Sequence, residues 1–401
     1  MGSNKRYSGY KSFSYLEPNK DYRVFKLAKE INRVNSSKVQ LSKNEEDKAR
    51  EIIEKSIMIS FHEHTQVFPD NPSEFIEYMR AGRWSVGYEG LAYSGMDGVF
   101  EGLHDGIALI RSNDPWDWDN VIHQIGVLRS DIDHQDFVFI AKKGEDFEKA
   151  FKDGKVAMVL HLEGAPHIRE DLIRVDILYG LGVRCMGVTY SRGNEFGSGL
   201  ADKNDRGLTD LGKDLVERMN KIGMLIDLAH VGDKTSLDAI NYSKDPVVIT
   251  HAGARSVWPS RRMKPDEVIQ ALAERGGVFG IEAAPHTTIS REHPRHSIES
   301  VMDHFKYIEK LVGIDHVAFG PDTLFGDHVW LHKVFREYLS IRAFEEGLPE
   351  FPRAEFVDGL ENPSEYSNIV RWLVKNGYSD NEIRKVIGEN ILRVTKRVWR
   401  G

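Results

Sequence analysis

The fold is decided by residues 210–251, DLGKDLVERMNKIGMLIDLAHVGDKTSLDAINYSKDPVVITH. The segment opens with apolar residues at i, i+3 and i+4 followed by a glycine, a pattern that predicts an amphipathic helix. Two short apolar runs follow, MLIDLAH (224–230) and PVVITH (246–251), and such runs are typical of strands buried on both faces of a parallel sheet. Their last residues, His230 and His251, lie 21 positions apart. This spacing is the length of one βα unit.

The same alternation of short apolar runs and helical patterns continues from about residue 55 onward, as in a chain of βα units. Further strands are predicted at SIMISF (56–61), VAMVLHL (156–162), VRCMGVTY (183–190), GVFGIEA (277–283) and HVAFGPD (316–322), and an eighth is expected around residues 85–100. No GxGxxG motif follows the first strand. His, Glu and Asp stand at or just past most strand ends, where barrel enzymes build their sites. We therefore predict an α/β fold, a (β/α)8 TIM-like barrel with an N-terminal extension.

The N-terminal extension differs in composition from the rest of the chain. Residues 1–50 mix aromatic with charged side chains and end in the polar run SSKVQLSKNEEDKAR, so we predict an arm and linker there. Its aromatic residues are expected to pack on the main domain or on a neighbouring subunit: Tyr7, Tyr10, Phe13, Tyr15, Tyr22 and Phe25. Residues 51–401 are predicted to form the barrel, and the pattern at 372–399 predicts two closing helices.

Composition excludes several classes of protein. Lys and Arg number 54 against 62 Asp and Glu, so the formal net charge is −8, which disfavours a nucleic-acid partner. The single cysteine, Cys185, forms no internal disulfide. The start MGSNKRYSGYKSF lacks the apolar core of a signal peptide, and no run approaches the roughly 18 apolar residues of a membrane span. The sequence therefore predicts a soluble cytoplasmic protein that contacts neither membrane nor nucleic acid.

Residue types that bind metals stand at the ends of five predicted strands. The first strand ends in His62 and His64, and residues at i and i+2 share one face of a strand. Glu163 follows a very apolar strand, where a carboxylate is costly to bury unless it is paired or bound to metal. Asp322 ends the last predicted strand and is a candidate ligand and proton acceptor. The full set suits zinc or a similar divalent ion: His62, His64, Glu163, His230, His251 and Asp322.

Longer motifs carry a family resemblance. GLTDLGKDLVERMNKIGMLIDLAHV (207–231), PVVITHAGARSVWPSRRMKPDEV (246–268) and VAFGPD (317–322) resemble the membrane (renal) dipeptidase family, peptidase family M19 of the amidohydrolase superfamily. The resemblance extends from the first strand to the closing GENILRVTKRVW (388–399) and leaves the arm outside. It implies a (β/α)8 barrel in which two zinc ions share a bridging glutamate. It also implies that a bridging water attacks the peptide bond of a dipeptide.

The resemblance further implies a role for each matching residue. The first metal would be held by His62, His64 and Asp322, the second by His230 and His251, and Glu163 would bridge the two. Asp322 falls on the acid that also shuttles the proton, so Asp322 and Glu163 are expected to be catalytic. Arg262 falls on the arginine that clamps the terminal carboxylate of the substrate, a task suited to a guanidinium.

The chain departs from the family pattern at three positions. His64 replaces the usual aspartate, which raises the net charge of the site by one and alters its metal preference. Tyr190 replaces a substrate-facing histidine, and we expect it to contact the substrate and to donate a hydrogen bond to the developing oxyanion. His161 stands where the family carries a small residue. It is a candidate substrate contact, an extra ligand or, the favoured alternative, a residue that positions a ligand or packs in the core.

The leading hypothesis is a dinuclear zinc hydrolase of the dipeptidase type, with two zinc ions or other divalent ions per chain and a small dipeptide-like substrate. Two alternatives stay open. One is an enzyme of the same superfamily that acts on a non-peptide amide, a lactone or a cyclic amide, and the other is a one-metal decarboxylase. A catalytically inactive barrel is disfavoured because every ligand position holds a competent ligand. A homodimer is compatible with the family and with the aromatic arm.

Overall fold

The computed structural model of the protein describes residues 5–103, 116–285, 287–332 and 355–400. Within these residues the strands join one eleven-stranded sheet. The strands are β1 (Ile59–Val67), β2 (Ser85–Val86), β3 (Gly98–Leu103), β4 (Val138–Ile140), β5 (Val156–Leu162), β6 (Val183–Gly187), β7 (Leu225–Asp227), β8 (Val248–Ala252), β9 (Val278–Ile281), β10 (Val317–Phe319) and β11 (Leu324–Phe325).

Eight of these strands form a parallel barrel in the order β10, β9, β8, β7, β6, β5, β3, β1. The backbone after β10 returns to β1, where the Asp322 amide donates to the His62 carbonyl at 3.1 Å and the His64 amide donates to the Thr323 carbonyl at 2.8 Å. These two bonds close the barrel between its first and last strands. Strand β2 pairs antiparallel with β1, while β4 and β11 pair in parallel with β5 and β1. The predicted (β/α)8 barrel is confirmed.

Helices connect consecutive barrel strands. The α-helices are α1 (Lys43–Lys55), α2 (Phe75–Ala81), α3 (Tyr88–Ser94), α4 (Trp118–Ile132), α5 (Glu145–Asp153), α6 (Ile173–Gly180), α7 (Asp210–Ile222), α8 (Asp233–Tyr242), α9 (Asp266–Glu274), α10 (Ile298–Val312), α11 (Ser367–Lys375), α12 (Asp380–Arg384) and α13 (Asn390–Val398). In the described residues, 3₁₀ turns lie at Pro72–Glu74, Ile314–His316 and Pro363–Glu365. A π-helical segment, Lys385–Glu389, joins α12 to α13, so the chain closes with α11 and one long final helix.

The strand predictions differ from the structure mainly at strand ends. Strand β5 has the predicted bounds, whereas the run MLIDLAH extends past β7, which ends at Asp227. Leu228 still donates to the Val248 carbonyl at 2.9 Å, and then the chain turns, with the Val231 amide bonded to the Leu228 carbonyl. The expected strand around residues 85–100 is placed too early, because residues 88–94 form α3 and Gly95 ends that helix with φ 81°. The eighth barrel strand is β3.

The N-terminal arm packs on the barrel of its own chain. Phe13 is buried, the Tyr7 ring contacts Phe137 with 5.4 Å between centroids, and the Tyr10 hydroxyl donates to Asp131 at 2.8 Å. Helix α1 begins at Lys43 and runs to Lys55, across the boundary that we placed between residues 50 and 51. The division of the chain at that position stays a prediction.

Candidate metal centre

The six predicted ligands converge at the carboxyl ends of the barrel strands. On one side, His64 Nε2 lies 3.2 Å and His62 Nε2 3.5 Å from Asp322 Oδ1. The same two nitrogens lie 3.7 Å and 3.6 Å from Glu163 Oε1. These four side chains therefore surround one small volume at the end of β1.

A second pair of histidines lies on the other side of Glu163. His230 Nε2 is 3.1 Å from His251 Nε2, and the two nitrogens lie 3.3 Å and 3.9 Å from Glu163 Oε2. Each oxygen of Glu163 thus faces a different pair of imidazoles. The His62 ring stacks on His251 with 3.8 Å between centroids, so the two groups of ligands adjoin.

The donor spacings fit divalent ions. Two donors bound at roughly 2.0–2.2 Å to one tetrahedral ion lie about 3.3–3.6 Å from each other, and the distances between facing donors here run from 3.1 Å to 3.9 Å. The donors are imidazole nitrogens and carboxylate oxygens, a set that suits zinc and similar ions. Because a buried cluster of this kind is costly without a counter-charge, the residues fit the metal that the resemblance implies.

A glycine on β3 makes room for the ligands. A Cβ atom at Gly102 would lie 2.6 Å from His64 Cε1, 2.7 Å from His62 Cε1 and 2.9 Å from Glu163 Oε1. No side chain fits at such distances without moving a ligand. The His64 ring also contacts the Gly102 carbonyl through Nδ1 at 3.2 Å, so this position both clears space and orients a ligand.

Burial and local contacts set the protonation states of the predicted ligands. Burial lowers the pKa of His62 to about 4 despite the attraction of Asp322, and it lowers the pKa of His230 and of His251 well below the ordinary histidine value. Burial opposes ionisation of Asp322, but contacts with His62 and His64 outweigh it and hold the pKa of that carboxyl well below its usual range. At neutral pH these histidines are neutral and Asp322 is ionised, the forms that bind a metal.

Two of the predicted substrate residues border the centre. The half-buried Tyr190 ring stacks on His230 with 4.4 Å between centroids. Arg262 Nη2 lies 2.6 Å from Glu282 Oε2, and the positive charge of Arg262 contributes, after burial, to the lowered pKa of His230. The structure therefore brings both residues to the ligands.

His161 lies on β5, two residues before Glu163, and is fully buried. Its Nδ1 is 3.2 Å from His62 Nδ1 and its Nε2 is 3.3 Å from Asp227 Oδ2. Both ring nitrogens therefore face protein groups, which favours the ligand-positioning alternative over contact with the substrate.

Sequence reasoning missed three buried residues near the centre. Glu282 and Asp227 are acids inside the apolar runs GVFGIEA and MLIDLAH. A carboxylate in a buried strand is costly unless it is paired, and this feature of the sequence could have marked both residues. His328 is buried after β11, and burial together with the neighbouring His332 lowers its pKa well below the usual value, while Asp322 opposes the shift. No strand-end pattern marks His328.

Comparison with known proteins assigns the family. The model of the family described as membrane dipeptidase (peptidase family M19) matches residues 46–330 and 351–400. The chain belongs to this family. The resemblance found in the sequence is thereby confirmed.

Within the described residues, no helix combines the length and the apolar character needed to cross a bilayer.

Relatives of this M19 family member include proteins known by sequence and by structure. This chain is 28% identical to dipeptidase tcpJ of Claviceps purpurea (strain 20.1) over 282 aligned residues. The alignment covers 70% of this chain and 60% of tcpJ. The match thus spans less than two thirds of that protein. Among solved structures, an amidohydrolase from Pseudomonas aeruginosa superposes with a TM-score of 0.72 at 24% identity, covering 88% of this chain and 99% of the other.

A second solved structure is a metallo peptidase from Rhodobacter sphaeroides liganded with a phosphinate mimic of the dipeptide L-Ala-D-Ala. It superposes with a TM-score of 0.65 at 20% identity, and the match covers 86% of this chain and 100% of the other. At these identities the two structures support the barrel fold alone.

Proposed function

We propose that this member of the M19 family is a dinuclear zinc hydrolase that cleaves a dipeptide or a dipeptide-like amide. The observation that carries the proposal is the placement of Glu163, whose two oxygens face separate pairs of histidines at 3.3–3.9 Å. Asp322 completes one of the two groups. Membership of the dipeptidase family supports the choice of an amide bond.

His62, His64 and Asp322 would hold one ion, His230 and His251 the other, and Glu163 would contribute to both. When bound, two divalent cations lower the pKa of a water molecule toward neutrality and polarise the scissile carbonyl.

Asp322 would move the proton. Its side chain is 18% exposed, whereas that of His62 is fully buried, so the Asp322 carboxylate is the more accessible of the two to a substrate. An ionised carboxylate accepts a proton from the attacking water and returns it to the leaving amine. Asp322 has φ 60°, a conformation that residues other than glycine rarely adopt. Its backbone bond to His62 holds the side chain in that position.

Tyr190 and Arg262 would bind the substrate. The Tyr190 ring packs on a predicted ligand, His230, which supports a role in which its hydroxyl group donates a hydrogen bond to the developing oxyanion. The Arg262 guanidinium would bind the terminal carboxylate, so that the scissile bond lies over the centre.

Amine release from a panel of L,L and L,D dipeptides tests the proposal. The protein is first treated with a chelator and then assayed with and without added zinc, beside the variants His230→Ala and His123→Ala. His123 is an exposed histidine on α4, so it controls for the loss of any histidine. We expect zinc-dependent turnover that His230→Ala loses and His123→Ala keeps.

Two results would replace the proposal. A protein that holds two zinc ions but releases no amine from any dipeptide would act on a non-peptide amide, a lactone or a cyclic amide. One tightly bound ion per chain together with release of carbon dioxide would indicate a decarboxylase.

A further inference from the structure

We propose that Asp227 is a positioning residue that orients one imidazole ligand of each metal through two separate relays. One relay runs through His161 to His62, and the other runs through Thr250 to His251. The inference rests on the proposed two-metal function, and it assigns work to three buried residues that are not ligands themselves.

The first relay crosses from β7 through β5 to β1. Asp227 Oδ2 lies 3.3 Å from His161 Nε2, and His161 Nδ1 lies 3.2 Å from His62 Nδ1. The opposite nitrogen of His62, Nε2, faces Glu163 and Asp322. The His161 side chain thus fills the gap between an acid and a ligand that do not touch.

The second relay crosses from β7 to β8. The Thr250 hydroxyl donates to Asp227 Oδ2 at 2.9 Å. Thr250 Oγ1 in turn lies 2.8 Å from His251 Nδ1. His251 Nε2 faces Glu163 and His230. Both relays therefore end on one oxygen of Asp227.

The donors and acceptors along both relays agree in direction. A neutral histidine that binds metal through Nε2 carries its proton on Nδ1. His62 would therefore donate to His161 Nδ1, which leaves the His161 proton on Nε2, the nitrogen that lies 3.3 Å from Asp227 Oδ2. His251 would donate to the Thr250 oxygen, and Thr250 donates to Asp227. Both relays end on Oδ2 of Asp227 and its Oδ1 accepts from two backbone amides, so neither oxygen is left to carry a proton and the carboxylate is ionised.

Asp227 is held in the form and orientation that this requires. Its other oxygen, Oδ1, accepts from the Thr250 amide at 2.8 Å and from the Ala229 amide at 3.2 Å. Burial opposes ionisation, but the interactions with His161 and Thr250 outweigh it and lower the pKa of Asp227 to about 2. An anion held on the side of an imidazole that faces away from the metal fixes the tautomer of the imidazole and makes the imidazole a stronger ligand.

Zinc affinity of the purified metal-free protein is the test. A competitive titration against a chromophoric chelator resolves the two binding steps of wild type and of Thr250→Val, Thr250→Ser, His161→Phe and Asp227→Asn. Loss of an outer partner of a ligand weakens metal binding by about 10- to 100-fold. We expect Thr250→Val to weaken one step, His161→Phe the other and Asp227→Asn both.

The serine variant is the matched control, because it keeps the hydroxyl group and should bind zinc as wild type does. Circular dichroism of each metal-free variant checks its folding, and the two single-relay variants decide the question if Asp227→Asn does not fold. Two unchanged steps in both single-relay variants would overturn the inference, as would equal losses in the valine and serine variants. A wild type with two tight steps and no dipeptide turnover would instead overturn the dipeptidase proposal and leave the relays standing.

Discussion

Arg262 and Glu282 form a buried ion pair beside the candidate metal centre, with 2.6 Å between Nη2 and Oε2 and exposed fractions of 9% and 0% for the two side chains. A guanidinium carries five N–H donors, and this contact engages one nitrogen. A further nitrogen, Nη1, makes a long contact of 3.4 Å with the Ala229 carbonyl. Glu282 thus fixes the orientation of the Arg262 guanidinium and leaves N–H groups that can bind an anion.

Arg262→Lys should raise KM for a free dipeptide by about tenfold to hundredfold and change kcat little. A lysine keeps the charge but loses the planar fork that binds a carboxylate through two hydrogen bonds, and such a loss of uniform binding appears in KM. Steady-state kinetics with a dipeptide and with the same dipeptide amidated at its carboxyl end measure the effect. Equal losses for both substrates would show that Arg262 is not the carboxylate clamp.

Glu282→Gln should lower the free energy of unfolding by about 3 kcal/mol, because it leaves a buried guanidinium without its counter-charge. The same change should tighten the binding of a carboxylate ligand, which then supplies that charge. Denaturant unfolding and inhibition by free amino acids measure the two effects. Glu292→Gln is the control, since Glu292 is exposed, and an unchanged stability of Glu282→Gln would contradict the role of the pair.

The sequence predicts the barrel and its ligands because both depend on local patterns. The run VAMVLHL has the same bounds as β5. All six predicted ligands lie in a barrel strand or within a few residues of one, so the local pattern is enough to locate them. The roles of Glu282 and Asp227 depend on which side chains meet across neighbouring strands and loops, and local patterns do not specify those contacts. Asp227 bonds Thr250, 23 positions later, and Arg262 lies on a loop whose path the sequence does not specify. The eighth strand, expected around residues 85–100, was placed too early, since Tyr88–Ser94 is helical.

Gly102→Ala should abolish tight metal binding. The added Cβ would lie 2.6–2.9 Å from atoms of three proposed ligands, His62, His64 and Glu163, so at least one of them must move. Metal content after dialysis and dipeptide turnover measure the result. Gly126→Ala on α4 is the matched control, because a Cβ there meets nothing within 4 Å, and wild-type metal content in Gly102→Ala would contradict the proposed ligand set.

Glu30→Gln should change how stability depends on pH. Glu30 of the arm accepts from the Gly90 amide at 2.7 Å, and burial raises its pKa to about 7. Between the unfolded value near 4.5 and the folded value near 7 the native state holds a proton that the unfolded state lacks, so this carboxyl makes the protein less stable as pH rises through that window.

The glutamine variant does not titrate, so its free energy of unfolding relative to wild type should increase by about 2 kcal/mol between pH 5 and pH 8, allowing for the partial exposure of Glu30. Urea unfolding of both proteins across that range measures the difference. A difference that does not vary with pH would show that Glu30 keeps its ordinary pKa in the folded protein.

Asp322→Asn should reduce kcat by about 10²- to 10⁴-fold while the protein keeps its fold, because an asparagine has nearly the same shape but neither accepts nor returns a proton. Asp322 also belongs to the first ligand group, so metal content must be measured beside turnover, with saturating zinc in the assay. Asp315→Asn is the control, since Asp315 is an exposed aspartate just before β10. A variant that binds both ions and keeps full turnover would rule out Asp322 as the proton shuttle. Loss of kcat with both ions still bound would separate its proton transfer from its role as a ligand.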